Sequence, residues 1–335
     1  MSVTIKDVAK RANVSISTVS RVLNHNYPVS KEARERVEQA IKECGYTMNA
    51  LAGGLRSNNS KLIAVAIPGV VHSSFMELVR GLQKEVDRRD CTLVIVDTGE
   101  NEEVEKKVLE NLLMWRISGL VIAPSCKRPL VVKEMLRQGI KVVVVDRDIR
   151  QYVETDCVLW ENYETARRVI RYFLEMGHRK IALVCAQNKF TLGVDRVRGY
   201  LDELEVAGII PPDEYYINRN SNYEEAYETA KRMMTSDNPP TAYLANSYFC
   251  TRGIIKAACE LNLKIPDDIS VISFSKFETN DYMTPKITTV EQNICEMGEI
   301  AGRLLFERFD NEVAPLKEIV IHSELVKRDS VKKLN

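Results

Sequence analysis

The feature that most constrains the fold is an alternation of short apolar runs with longer amphipathic stretches, beginning at Leu62. The runs are rich in Val and Ile along their whole length, as in the segment KVVVVD at 141–146. Such runs indicate strands buried on both faces, hence a parallel sheet with helices on each side. Two sets of strands are predicted, at 62–68, 92–97, 119–124 and 141–146, and then at 181–186, 215–218, 241–246 and 269–274.

The helical stretches between these runs place the two sets of strands in two doubly wound lobes. A helix near 293–309 and a strand near 318–322 are expected to return to the first lobe. Lobe 1 is therefore predicted to comprise 61–159 and 291–319, and lobe 2 to comprise 160–290 and 320–335. Ligands of such folds bind at the carboxyl ends of the strands, which here face the cleft between the lobes.

A different pattern occupies residues 1–45. Thr4 followed by Asp7 three residues later predicts a helix start of the capping-box type. Asn13 lies where the chain must turn, and Asn tolerates positive φ better than most residues. Ser15 then caps a second short helix. We expect an all-α head of two short helices joined by a tight turn, with a third helix from Ser30 that ends at Gly45.

The second helix of this head has two dissimilar sides. Val19, Val22 and Leu23 form its apolar side. The polar side consists of Ser17, Thr18, Ser20, Arg21 and Asn24. Arginine pairs bidentately with guanine, and Ser and Thr suit either bases or phosphates. A helix with such a polar face, following a tight turn, predicts a helix-turn-helix that binds DNA.

The charge distribution agrees with this prediction. The whole chain is formally neutral, with 47 Lys+Arg and 47 Asp+Glu. Residues 1–60 carry nine Lys+Arg against five acids, so the remainder carries 38 against 42. A basic head on an acidic body is what a phosphate-binding module joined to a non-binding one requires.

Cysteine usage and the N-terminus bear on the compartment. Eight cysteines are scattered without a CxxC motif or zinc-like spacing. Buried reduced thiols fit the cytosol, and the N-terminus shows no apolar core of a signal peptide. We expect a cytoplasmic protein that spans no membrane and needs no metal or cofactor.

The segment VTIKDVAKRANVSISTVSRVLN at 3–24 resembles the DNA-binding head of the lactose/galactose repressor family of bacterial transcription regulators. The resemblance continues through the third helix and GYTMNALAGGLR, and it includes Gly177-His178-Arg179, Arg196 with Gly199-Tyr200, 265–272 and 325–330. It therefore covers nearly the whole chain. It implies a periplasmic-binding-protein-like core, a palindromic operator, a homodimer without the family's tetramer-forming tail, and a small-molecule effector in the cleft.

The resemblance also implies which residues touch DNA. Ile16, Ser17 and Arg21 would read the major groove, and Lys31 would meet a phosphate. Residues 46–60 resemble the family's hinge, whose Leu wedges into the minor groove, a position matched by Leu55. Met48 in place of Pro, and Gly53-Gly54 in place of a polar pair, depart from the family and disfavour a hinge helix. The expected DNA contacts are Thr4, Ser15, Ile16, Ser17, Thr18, Ser20, Arg21, Asn24, Lys31, Leu55 and Arg56.

In the cleft, the resemblance assigns effector contacts and shows further departures. Ser275 stands where the family has an Asp that grips sugar hydroxyls, and Lys276 is an added cation. With Arg147, Lys189 and Arg196 nearby, these changes predict a positive cleft that favours an anionic sugar derivative such as a sugar acid or phosphate. The alternatives are a neutral sugar or a cleft that is no longer used. The expected effector contacts are Ser74, Phe75, Arg147, Arg196, Asn246 and Ser275.

The sequence bears on three functions other than that of an effector-controlled repressor. The sequence contains no GxSxG, P-loop, HExxH or strand-linked GxGxxG motif, so an enzyme is not expected. A sugar-binding protein without a regulatory role fits the body but not the head. A regulator controlled by a protein co-repressor that binds the core remains an alternative.

Overall fold

The structure is a computed structural model that describes residues 3–24, 28–46, 61–70, 73–126, 128–184, 191–216 and 223–334. The chain divides into two compact units, Met1–Lys61 and Leu62–Asn335. They are the all-α head and the α/β core.

The head contains three helices, α1 (Ile5–Ala12), α2 (Ile16–Asn24) and α3 (Lys31–Cys44). Each boundary has a local cause that the sequence indicates. Asn13 ends α1 at φ 53° and Gly45 ends α3 at φ 61°, both left-handed. The Ser30 hydroxyl accepts the Ala33 N–H at 3.3 Å and so caps α3. The helices enclose a small core whose buried members are Val8, Ala9, Ala12, Val19, Val22, Val37 and Ala40.

The core begins with five strands and three helices. Its central strands are short and almost wholly buried, as in β3 and β4, which is why their sequence is continuously apolar. The elements are β1 (Leu62–Ile67), α4 (Ser73–Arg88), β2 (Thr92–Asp97), α5 (Glu102–Met114), β3 (Gly119–Ile122), α6 (Leu130–Arg137), β4 (Lys141–Val145) and β5 (Asp156–Trp160).

The chain then crosses into a second lobe and later returns. The elements of the second lobe are α7 (Asn162–Glu175), β6 (Ile181–Val184), α8 (Thr191–Val206), α9 (Tyr223–Met234), β7 (Ala242–Ala245), α10 (Tyr248–Glu260), β8 (Ser270–Ser273) and β9 (Thr288–Glu291). Three elements complete the core: α11 (Ile294–Asp310), β10 (Glu318–Ile321) and β11 (Glu324–Val326).

Two sheets result, one in each lobe. The six-stranded sheet has the order β10-β5-β4-β3-β1-β2 and is parallel throughout. The five-stranded sheet has the order β11-β9-β8-β7-β6, with β11 antiparallel to β9. Doubly wound parallel lobes are what the sequence predicts, and the predicted fold class is confirmed.

Several details differ from the sequence-based expectations. A strand was expected at 215–218, but Asp213–Tyr215 form a 3-10 turn, and residues 217–218 lie outside the described residues. The strands β5, β9 and β11 were not predicted. The lobes also change over slightly later than the expected boundaries, since β5 ends at Trp160, β9 at Glu291 and β10 at Ile321.

Helices α4 and α11 cross at very close range in the first lobe. A Cβ built on Gly81 would lie 1.9 Å from the Cys295 carbonyl oxygen. A Cβ on Gly298 would lie 2.0 Å from the Leu78 carbonyl oxygen. Only glycine fits at these positions, so the returning helix α11 is held against α4 by backbone contact.

A buried ion pair fixes the segment that follows α11. The Asp156 carboxylate, 1% exposed, accepts the Arg308 Nε at 2.5 Å and Nη2 at 2.8 Å. It also accepts the backbone N–H of Lys317 at 2.7 Å. Arg308 donates in turn to the Pro315 carbonyl at 2.7 Å. Together these contacts position β10 at the edge of the sheet.

Candidate functional site

The second helix of the head presents a polar outer face. At about 100° per residue, Ile16, Ser17, Ser20, Arg21 and Asn24 fall within an arc of about 140°. Ile16 is 41% exposed, and Ser17 and Arg21 are also exposed, whereas Val19 on the opposite side is fully buried. Of the Asn24 side chain the structure describes nothing. The exposed face of α2 therefore carries side chains of the types that contact bases and phosphates in the major groove.

The start of α2 is held by a network of hydroxyls. The Ser15 Oγ accepts the Thr18 N–H at 3.1 Å and lies 2.7 Å from Ser17 Oγ and 2.8 Å from Thr18 Oγ1. Ser15 therefore acts as the N-cap that the sequence predicts. Helix N-termini attract phosphate, so this cap also places α2 for backbone contacts with DNA.

Thr4 and Lys31, two further expected DNA contacts, lie at the starts of the other helices. The Thr4 N–H and hydroxyl both donate to Asp7 Oδ2, at 2.8 and 2.7 Å. The hydrogen bonds from Thr4 hold the pKa of Asp7 below its ordinary value. Lys31 is exposed at the first turn of α3. Leu55 and Arg56 lie outside the described residues.

The second lobe holds a buried arginine at its cleft edge. Arg196, on α8, is 5% exposed. Its Nε donates to Asn162 Oδ1 at 2.9 Å, and its Nη1 donates to the Asn246 carbonyl at 2.8 Å and to Asn246 Oδ1 at 3.0 Å. The guanidinium lies 4.2 Å from the centroid of the Phe274 ring. Burial lowers the pKa of Arg196 to about 10, and it stays charged at neutral pH.

This arrangement leaves one part of the guanidinium uncommitted. None of the contacts of Arg196 with described residues uses Nη2. Because Nε, Nη1 and the ring fix the guanidinium plane, Nη2 is a pre-oriented donor for an acceptor oxygen. Arg196 and Asn246, two of the expected effector contacts, are therefore joined by hydrogen bonds in the structure.

Asp146 is the matching group of the first lobe. It follows β4 at φ 65°, a conformation uncommon outside glycine and frequent at functional sites. Burial raises the pKa of Asp146, and the positive charges of Arg147 and Arg196 oppose this rise. Within the described part of the core, Asp146 and Arg196 interact electrostatically without forming an ion pair.

The predicted positive cleft is wrong for the residues that the structure describes. Arg147 was expected to face the cleft, but its guanidinium is paired with Glu100 and donates to the Pro124 carbonyl at 3.0 Å. Lys276 is paired with Glu291 at 3.4 Å. Lys189 lies outside the described residues. Partners distant in sequence neutralise the added cations.

A cavity of about 240 Å³ beside Asp146 is acidic. Its one lining arginine, Arg150, is held by Asp148 at 2.7 Å and by Glu318 at 2.5 Å. The described lining of this cavity therefore offers little attraction to an anion. Its carboxylates are Asp146, Asp148, Glu161, Glu164, Asp195 and Glu318.

Of the other expected effector contacts, Ser275 lies beside Asn246, whereas Phe75 packs on the core of the first lobe. Ser275 follows β8, beside Asn246 at the end of β7, because β7 and β8 are adjacent. Its N–H donates to Ser273 Oγ at 3.1 Å. Phe75 is half-buried and packs on the core of the first lobe, and Ser74 is half-buried beside it. Phe75 thus has a packing role, the usual fate of Phe.

Three residues that hold the site are not among the expected effector contacts: Asn162, Phe274 and Asp146. All three lie where a buried strand ends or has just ended. In a parallel doubly wound fold, polar residues at such positions gather at one edge. That positional rule is the signal that could have found Asp146 and Asn162.

The fold and these two sites define a class: a helix-turn-helix head joined to a two-lobed ligand-binding core. Comparisons with known families agree. Residues 4–49 match the family of bacterial regulatory proteins called the lacI family, and residues 170–331 match a periplasmic binding protein-like domain.

Relatives match over nearly the whole chain. The HTH-type transcriptional repressor PurR of Escherichia coli O139:H28 is 31% identical over 329 residues, covering 98% of this chain and 96% of that protein. PurR of Salmonella arizonae is 31% identical over 330 residues, with the same coverage. The chain belongs to the lacI family of bacterial regulatory proteins.

Solved structures share the architecture. The Lac repressor dimer bound to operator and the anti-inducer ONPF matches with a TM-score of 0.83 and 25% identity, covering 99% of this chain and 100% of that one. A lacI-family regulator from Silicibacter pomeroyi matches with a TM-score of 0.82 and 26% identity, covering 98% and 99%.

No helix in the described ranges is long and apolar enough to cross a membrane. Within those same ranges, no three His, Cys, Asp or Glu side chains are grouped so that they could hold a metal ion.

Proposed function

We propose that this chain is a transcriptional repressor that binds a palindromic operator as a homodimer in the cytoplasm. The observation that carries the proposal is the exposed face of α2, with Ile16, Ser17 and Arg21 outward and Val19 buried. Family membership and the operator-bound dimer of the Lac repressor support it. In this function the chain binds ligands and catalyses no reaction.

The experiment is selection of bound sequences from a random pool of duplex DNA, with purified full-length protein at one fixed salt concentration. An enriched inverted repeat with a flexible central step is expected, since two heads read two half-sites. Light scattering on the same sample should give the mass of a dimer. Failure to enrich any sequence contradicts the repressor function.

Leu55 and Arg56 complete the proposed DNA interface. Leu55 would wedge into the minor groove at the operator centre and Arg56 would contact the backbone beside it. A wedge needs a deformable step, so Leu55→Ala should reduce specific affinity more than non-specific affinity. Equal losses on operator and random DNA would remove Leu55 from the interface.

The cleft is proposed to bind a small effector between Arg196 and Asp146. Arg196 Nη2 offers a donor from the second lobe and Asp146 offers acceptors from the first. An effector that contacts both lobes favours one lobe arrangement over the other, as coupling to DNA binding requires. Because the described cleft carries no excess of unpaired cations, we propose a neutral, hydroxyl-rich molecule in place of an anion.

A thermal-shift panel tests the effector. Its compounds are D-ribose and cellobiose as neutral sugars, and gluconate and glucose 6-phosphate as anions. The neutral sugars should raise the melting temperature, and Arg196→Met should abolish the shift. Arg198→Met is the matched control, because Arg198 lies two residues further along α8 with its side chain 58% exposed. Stabilisation by the anions alone would restore the anionic alternative.

Control by a protein co-repressor on the core is the second candidate. It predicts that operator binding by the purified protein stays weak with every small molecule of the panel and is restored by cell extract. A third possibility, a sugar-binding protein without regulatory role, predicts sugar binding without any enriched DNA sequence.

A further inference from the structure

The loops at the carboxyl edge of the first sheet form a connected hydrogen-bond network. The Val70 N–H, after β1, donates to Asp97 Oδ2 at 3.0 Å. The Thr98 hydroxyl, after β2, lies 2.8 Å from the Ser125 hydroxyl, after β3. Arg147, after β4, donates to the Pro124 carbonyl at 3.0 Å. Four loops that form one wall of the cleft are therefore held as a unit.

Glu105 lies beneath this network. It projects from α5 and is 1% exposed, which is rare for Glu. Its Oε2 accepts the Ser125 N–H at 2.5 Å, and the backbone N–H of Cys126 provides a second hydrogen bond. A buried acidic side chain thus anchors the loop after β3 from below.

We propose that Glu105 is a positioning residue of the effector cleft, which holds the Ser125–Cys126 loop closed in its protonated form and lets it loosen on ionisation. The proposal rests on the effector-binding role proposed for the cleft.

The electrostatics give the pH range and the sign. Burial raises the pKa of Glu105 to about 7, against the lowering effects of the Ser125 and Cys126 backbone and of Arg147, while Glu102 adds to the rise. Opening of the loop admits water and returns the pKa toward its ordinary value of 4.5. The closed loop therefore binds the proton more tightly than the open loop, so closure weakens as pH rises from 4.5 to about 7 and levels off above the higher of these pKa values.

Two neighbouring titratable groups, Cys126 and Arg147, keep the same charge between pH 6 and 8. Burial raises the pKa of the Cys126 thiol above its ordinary value of 9.0, so the thiol stays neutral between pH 6 and 8. Arg147 stays charged over the same range, because its pKa is raised by Glu100 and Asp146 although burial opposes the rise. Of Glu105, Cys126 and Arg147, Glu105 is the group that changes charge near neutral pH.

The test is amide hydrogen exchange of the full-length, ligand-free protein between pH 6 and pH 8, with observed rates corrected for intrinsic exchange. For a group with a pKa near 7, the protection factors of the Ser125 and Cys126 amides should fall about tenfold over this range. Glu105→Gln should keep high protection at every pH, because the amide is neutral and retains an acceptor. Glu105→Ala should show low protection at every pH.

Glu110→Gln is the matched control, since Glu110 lies exposed on the same helix, and its profile should follow that of the unmodified protein. Protection that is independent of pH in the unmodified protein overturns the proposal without any variant. So does a tenfold fall that persists in Glu105→Gln. Because no effector is present, these outcomes are distinguishable from failure of the sugar panel.

Discussion

Arg21 and Lys31 should separate specificity from affinity at the scale of single residues. Both are exposed cations of the head, on α2 and α3. Arg21→Ala should cost about 1–3 kcal/mol of operator affinity and relax the preference at one base pair of each half-site. Lys31→Ala should weaken all sequences alike and reduce the slope of log K against log salt by about 1 per phosphate contact.

Fluorescence anisotropy with operator and scrambled duplexes, over a range of salt, measures both effects. The two variants serve as controls for each other, since each removes one positive charge from the head. If Arg21→Ala lowers affinity for both duplexes equally, Arg21 contacts the backbone and the α2 face is not the reader.

Arg308 should matter for stability far more than the surface arginines do. Its loss leaves the Asp156 carboxylate buried without its partner, which costs about 3–5 kcal/mol in buried pairs. Arg308→Leu should therefore shift the guanidinium-chloride unfolding midpoint of the core markedly downward. Arg80→Leu breaks an exposed pair with Glu77, 3.3 Å apart, and should change stability by less than about 1 kcal/mol.

An equal shift of the unfolding midpoint in the two leucine variants would mean that the pair of Asp156 with Arg308 does not stabilise the fold more than an exposed pair does. The comparison is direct because both changes remove one guanidinium and add the same side chain. The pairs differ in burial, with side-chain exposures of 11% and 2% for Arg308 and Asp156 against 66% and 50% for Arg80 and Glu77.

The sequence predicts single residues well where the cause is local. Thr4, Asn13, Ser15, Ser30 and Gly45 mark helix ends through contacts within a few residues, and each lies at the boundary expected. Arg147 shows the opposite case. Its orientation depends on Glu100, 47 positions away, and such a pairing becomes visible only once the strands are in order.

At the scale of elements, Gly298 tests how closely α11 must approach α4. In Gly298→Ala the added methyl would meet the Leu78 carbonyl oxygen, so the helices must separate. Overpacking of this kind costs about 1–3 kcal/mol or more. The variant should lower the melting temperature of the core, followed by circular dichroism.

Gly139→Ala is an informative comparison for this variant. Gly139 has φ +83° and no heavy atom within 4 Å of a built Cβ, so its cost is conformational and not steric. A larger loss for Gly139→Ala than for Gly298→Ala would show that the helix pair has room to relax.

Elements follow from the sequence in proportion to their length and regularity. The long amphipathic helices α4, α7 and α11 lie where periodicity predicts them. The missed strand β11 has three residues, too few for a pattern to develop, and β9 is not a continuous apolar run, because two of its four residues are Thr and one is Glu. A strand was expected at 215–218, but Tyr215 ends the 3-10 turn Asp213–Tyr215 and its side chain is buried in the core of the second lobe.

At the scale of the whole molecule, the head and the core should be separable. The fragment 62–335 contains both sheets and the helices that connect their strands. It carries 37 Lys+Arg against 42 Asp+Glu. Produced alone, it should melt at the temperature of the core in the full chain, bind an anion exchanger more tightly than the full chain, and select no DNA. Retention of operator binding by this fragment would contradict the role of the head.

The way the lobes are threaded has a consequence for synthesis. The first lobe opens at Leu62 but its sheet is finished only by β10, after the second-lobe strands β6 to β9 have been made. A nascent chain that has reached Glu291 therefore exposes the face of α4 that α11 later covers. The first lobe cannot be completed until α11 and β10 have been synthesised. Premature termination before Ile321 should consequently yield insoluble product instead of a shorter working regulator, and chaperone demand should peak during the last stretch of translation.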